Sequence, residues 1–138
     1  MKIIRRGTGT DDPKKQALVV EADLGTREIC RAALECLGFA VNAVDSGVAA
    51  VTSARQTKPD VVLFDLQLRD VRGHDLLNWL RANPALHDVP MIAISVFSQG
   101  DGADSIEGQV AGVVKKPVSR NALKTTVRHA LGMGQATA

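Results

Sequence analysis

Aromatic side chains are scarce in this chain: three Phe, one Trp and no Tyr. The core must therefore rest on Val, Leu, Ile and Ala. Cysteine is scarce too. Cys30 and Cys36 fall on one expected helix, six residues apart, which is about 9 Å of helical rise and too far for a disulfide. They read as small apolar packing residues of a reducing compartment. No apolar run approaches the roughly 18 residues that a membrane-spanning helix needs. The basic stretch Lys2 to Arg6 has no hydrophobic segment after it, which argues against a secretory signal. A cytoplasmic protein without a membrane segment is expected. Charge of one sign is also missing. The net +2 comes from the first fifteen residues, which hold five basic and two acidic side chains, while the other 123 carry twelve basic and thirteen acidic. That balance gives little support to nucleic-acid binding.

What the chain does have is length for one domain and an ordinary composition, 138 residues with 45% apolar and 23% charged. Its most informative stretch is Val61-Val62-Leu63-Phe64-Asp65. Four large apolar residues in a row read as a strand buried on both faces, the pattern of a central parallel strand. The run ends in a carboxylate, where open α/β sheets place their ligand sites. Asp65 could carry chemistry there or simply cap a turn.

The rest of the chain alternates. Residues 1–15 form a polar, Gly- and Pro-containing leader expected to be flexible. Ala17 to Val20 is a short apolar strand ending at Glu21 and Asp23. A helix follows from about Thr26 to Leu37, with Ile29, Cys30, Ala33, Leu34 and Leu37 on one face. Phe39 to Val44 reads as a strand, and Asp45 or Ser46 caps a helix running to about Gln56. After the Asp65 loop, Asp75 to Ala82 is helical and Pro84 stops it. Pro90 to Ser95 is another apolar strand. From Gln99 to Ala111 the helical pattern is weak, since each of three glycines costs roughly 1 kcal/mol. Val113-Val114 forms a last strand, and Ser119 caps a helix to about Leu131, with a flexible tail at 132–138. Five strands alternating with five helices over residues 16–131 imply parallel pairing in one domain.

In a parallel sheet the strand ends share one edge. Glu21/Asp23, Asp65, Ser95 and Lys116 then converge on one crevice. Two carboxylates 4 Å apart repel by about 4 kcal/mol at an effective dielectric near 20. A cation between them relieves this, and Mg²⁺ is the hard, oxygen-seeking choice. A lysine and a hydroxyl beside such a carboxylate make a cradle for a transferring phosphoryl group, with Asp65 as nucleophile.

The set Glu21, Asp65, Ser95 and Lys116-Pro117, with the loop Asp65-Leu66-Gln67-Leu68 and Gly73, strongly resembles the receiver domain of bacterial two-component response regulators. The resemblance spans about residues 16–131. It implies a flavodoxin-like (βα)5 three-layer sandwich with a five-stranded parallel sheet in order 2-1-3-4-5. It implies phosphorylation of Asp65 by a histidine kinase or histidine phosphotransfer protein. Lys116 and Ser95 would contact the phosphoryl group, and Mg²⁺ would be held by Glu21, Asp65 and the Gln67 backbone carbonyl. The chain departs from the family at three places. Ala22 stands where a second acid usually ligates the metal, so weak Mg²⁺ binding is expected. Asp23 is either a substitute ligand or the N-cap of the first helix. Val113 stands at the usual aromatic switch position, and Val96 follows Ser95 where smaller residues are common.

Two further readings compete. A Mg²⁺-dependent phosphatase with a strand-end aspartate needs a general acid two residues on, and Gln67 cannot serve. A phosphate-independent pseudo-receiver, an interaction module, would suit Ala22 and Val113. Neither leader nor tail has room for an output domain, so a stand-alone receiver acting on a downstream protein target is expected, with homodimerisation left open. His74, His87 and His129 read as surface or cap residues, and Trp79 as partly buried packing. Arg69, Arg72 and Arg81 read as solvated face rather than an anion site.

Overall fold

The computed structural model describes residues 14–96 and 106–133. The strands are β1 (Gln16–Val20), β2 (Ala40–Val44), β3 (Val61–Asp65), β4 (Met91–Ser95) and β5 (Gly112–Lys115). Four α-helices lie among the described residues: α1 (Leu24–Cys36), α2 (Gly47–Gln56), α3 (Gly73–Arg81) and α4 (Arg120–Ala130). All strand pairs are parallel, in the order β2-β1-β3-β4-β5. This is the flavodoxin-like α/β fold expected from the sequence.

The apolar run explains why β3 is central. Val61 to Phe64 are each 0% exposed, and such burial contributes about 2 kcal/mol per side chain. Alternation along the strands sends their side chains into two separate cores. Val62, Phe64, Leu18, Val20, Met91 and Ala93 pack with residues of α2 and α3. Val61, Leu63, Ala17, Val19, Ile92 and Ile94 pack with α1 and α4. The sheet is thus the middle layer of three.

Several boundaries differ from the sequence reading. Helix α1 starts at Leu24, two residues early, because Asp23 is its N-cap and accepts the Thr26 N–H at 2.8 Å. Helix α3 starts at Gly73 rather than Asp75. Its first N–H donates to the Leu66 carbonyl at 3.1 Å. A Cβ on Gly73 would lie 2.7 Å from the Leu66 Cα, so only glycine fits this close approach. The expected weak helix from Gln99 falls largely outside the described residues. Its described end is a 3-10 turn, Glu107–Gln109. The leader and tail likewise lie mostly outside the described residues.

The two cysteines are free, with Cys30 buried and Cys36 exposed. Trp79 is 47% exposed, more open than packing alone would leave it. Arg81 is not a solvated residue. Its guanidinium donates to the carbonyls of His87 at 2.7 Å, Val89 at 3.5 Å and Gln109 at 3.4 Å, tying α3 to the segments on either side of β4. Arg72 is 87% exposed in its side chain and pairs with Asp75 at 3.6 Å. No described helix is long and apolar enough to cross a membrane.

Candidate functional site

Register carries the acids to one place. Val20 of β1 pairs with Phe64 of β3, so Glu21 and Asp65, each one step further on, emerge side by side at the carboxyl rim. Glu21 is 0% and Asp65 3% exposed, a costly arrangement for two like charges without a counter-charge. Lys116 supplies it from just beyond β5. Its Nζ lies 2.8 Å from Asp65 Oδ2 and 3.3 Å from Glu21 Oε2, bridging residues 51 and 95 positions away in sequence. The Lys116-Pro117 peptide bond is cis.

Backbone donors complete the pair. The Gln67 N–H donates to Asp65 Oδ1 at 2.8 Å, and the Asp23 N–H to Glu21 Oε2 at 3.0 Å. Glu21 Oε1 is buried with no hydrogen bond, although the ammonium sits 3.2 Å away. Burial pushes the Glu21 carboxyl above its ordinary range, and the neighbouring Asp65 charge adds to this against the Asp23 and Lys116 hydrogen bonds. Burial works against the Lys116 ammonium. The hydrogen bond and charge of Asp65, seconded by Glu21, outweigh it and hold the lysine above its ordinary value. Beneath the pair, burial and the Glu21 charge push the Cys30 thiol up to about 12, so it stays neutral.

The open cleft over these groups, about 320 Å³, is lined by Glu21, Ala22, Asp23, Leu24, Asp65, Gln67, Arg69 and Lys116. Ser95 is at the same rim but does not line this cleft. It is 1% exposed at the last position of β4. Its carbonyl accepts the Lys116 N–H at 2.8 Å, which ties the lysine's backbone to β4. Asp23 lines the mouth, and its capping bond to Thr26 holds its carboxyl below the ordinary range.

The cleft offers hard oxygen donors, the carboxylates of Glu21 and Asp65, and the unbonded Glu21 Oε1 is an atom that a cation would satisfy. Those residues fit Mg²⁺. They fit it thinly, since no group of three or more Asp, Glu, His or Cys is placed to hold a metal among the described residues. Ala22 leaves a methyl where a third carboxylate could have reached in.

Sequence reasoning missed Asp70. Its two oxygens accept the N–H groups of Gly47 and Val48, both at 3.0 Å, and cap α2 from the loop after β3. Gly47 leaves room there, since a Cβ would press into the Val71 Cγ1 methyl. Arg27 was missed as well. It donates to the Glu21 carbonyl at 2.9 Å and to the Ala22 carbonyl at 3.3 Å, fixing the turn that presents Glu21. Neither contact leaves a sequence signal, because both depend on how separate loops meet.

A doubly covered parallel sheet in this order, with an acid pair and a lysine at its carboxyl rim, defines the receiver class of signalling domains. The chain belongs to that family: the response regulator receiver domain model matches residues 17–128. DivK of Brucella ovis, a polar-differentiation response regulator, is 29% identical over 119 residues, covering 86% of this chain and 97% of DivK. The receiver domain of the sensor histidine kinase PA1611 from Pseudomonas aeruginosa is 27% identical with a TM-score of 0.77, over 87% of this chain and 99% of that one. That structure is described with a magnesium ion coordinated in its active site cleft. The chemotaxis regulator CheY4 of Vibrio cholerae shares the fold at a TM-score of 0.78 and 18% identity, covering 86% of this chain and 99% of CheY4.

Proposed function

We propose that this chain is a stand-alone response regulator that accepts a phosphoryl group on Asp65 from a histidine kinase or histidine phosphotransfer protein. It works in the cytoplasm and passes the signal on by contact with a downstream protein. One observation carries this reading: in a receiver-family chain, the strand-end Asp65 lies in a cleft with its carboxylate 2.8 Å from the Lys116 ammonium.

In the transfer, an Asp65 carboxylate oxygen attacks phosphorus and forms the acyl phosphate bond. The bond from phosphorus to the donor's imidazole nitrogen breaks, and the imidazole keeps the electron pair and takes up a proton. Lys116 then sits against the phosphoryl oxygens, stabilising charge that the carboxylate alone could not. Glu21, Asp65 and the Gln67 carbonyl would hold Mg²⁺, which would supply further neutralisation of that charge. Ser95, buried at the end of β4, is the hydroxyl of this rim that would contact a phosphoryl oxygen. Receivers are signalling domains rather than classical enzymes, and Asp65 turns over only its own phosphate.

The test is intact mass after incubation with Mg²⁺ and a small phosphodonor. The wild type gains about 80 Da for one phosphoryl group and Asp65→Asn gains nothing. No gain, or a gain that persists in Asp65→Asn, would overturn the reading in favour of a phosphate-independent interaction module.

A further inference from the structure

Arg69 is exposed, as the sequence reading has it, and it also lines the cleft. It lines the cavity above Asp65 and Lys116, and also an adjoining one of about 230 Å³ formed with Ala22, Asp45, Ser46 and Asp70. Ala22 and Arg69 line both spaces, so the position without a carboxylate lies between them beside Asp65. Lys116 is already committed to Glu21 and Asp65. Arg69 is the other cation lining the cleft, and it makes no ion pair or hydrogen bond among the described residues.

The backbone under Arg69 is held on both sides. Asp70 is bound to the start of α2 through two hydrogen bonds, Gln67 bridges to Arg72, and Gly73 packs on Leu66. A guanidinium presented from a fixed loop offers a planar fork that matches phosphate oxygens. We infer that Arg69 is a phosphoryl-anion contact of this cleft, placed to use the opening left by Ala22. The inference rests on Asp65 being the phosphoacceptor. Its consequence is a trade. Positive charge at the mouth favours the incoming phosphoryl dianion and opposes a divalent cation, so this receiver takes a phosphoryl group with less dependence on Mg²⁺.

The experiment compares wild type, Arg69→Gln and Arg69→Lys with a small phosphodonor, reading adduct formation by mass with chelator and with Mg²⁺. Mg²⁺ affinity is measured separately by calorimetry without the donor. Arg69→Gln should form adduct about tenfold more slowly in chelator, for loss of one charge-assisted contact. The same change should tighten Mg²⁺ severalfold, and Arg69→Lys should fall between on both measures. A purely structural role would not move the two readouts in opposite directions, and the unfolding midpoint checks that the fold is kept. Equal rates in wild type and Arg69→Gln, or a fall in Mg²⁺ affinity, would overturn this assignment alone. A wild type that takes no phosphoryl group under either condition would overturn both it and the reading of Asp65.

Discussion

Glu21 sets the electrostatic character of the site. It is buried beside Asp65, and its carboxyl is pushed above the ordinary value of 4.5, chiefly by burial. The folded state therefore binds a proton more readily than the unfolded chain does. An acid raised in this way contributes stability that is present below pH 4.5 and lost as pH rises through the folded value. Glu21→Gln removes that titration. Urea unfolding at several pH values should show wild type gaining on Glu21→Gln as pH falls from 7 towards 4.5, and no further change below that. A difference that is flat with pH, or that moves against wild type on acidification, would contradict the account. The same residue shows what the sequence could reveal. An acid after an apolar run was visible, but its contact with Lys116, 95 residues away, exists only through sheet order.

At the scale of elements, the loop between β3 and α3 holds the site's floor. Asp70 reaches across it to cap α2, and the two N–H bonds depress its carboxyl below 3.8. A lowered acid contributes stability that is present above the unfolded value and lost as pH falls through the folded one. Asp70→Ala should cost about 1 kcal/mol at pH 7, the usual worth of a helix cap. The deficit should shrink when unfolding is measured near pH 2. An Asp70→Ala protein as stable as wild type at pH 7 would show that Ser46, which caps the same helix through Ala49 at 3.1 Å, suffices alone. Strands were the most legible elements, because a doubly buried strand is written as a run of apolar residues, and Val61 to Asp65 was found as read. Helix starts were less legible. The start of α1 turned on the capping choice at Asp23, and that of α3 on a long-range bond from Gly73 to Leu66, with no side-chain cap to mark it.

At the scale of the whole molecule, strand order brings together what the chain keeps apart. Order β2-β1-β3-β4-β5 sets β1 against β3, so Glu21 and Asp65 become neighbours across 44 residues of sequence. The convergence of strand ends was readable from alternation alone. The burial of Ser95 outside the cleft lining was not, since it depends on how the end of β4 packs. The place of Arg69 over the cleft depends on a loop conformation that no local pattern encodes. The proposed function stands on Asp65 being the group that forms the acyl phosphate. Borohydride reduction of the phosphodonor-treated protein converts an acyl phosphate to an alcohol and marks its residue for peptide mapping. Homoserine is expected at position 65 and nowhere else. A reduced residue at Glu21, Asp23 or any other carboxylate, with Asp65 intact, would contradict it.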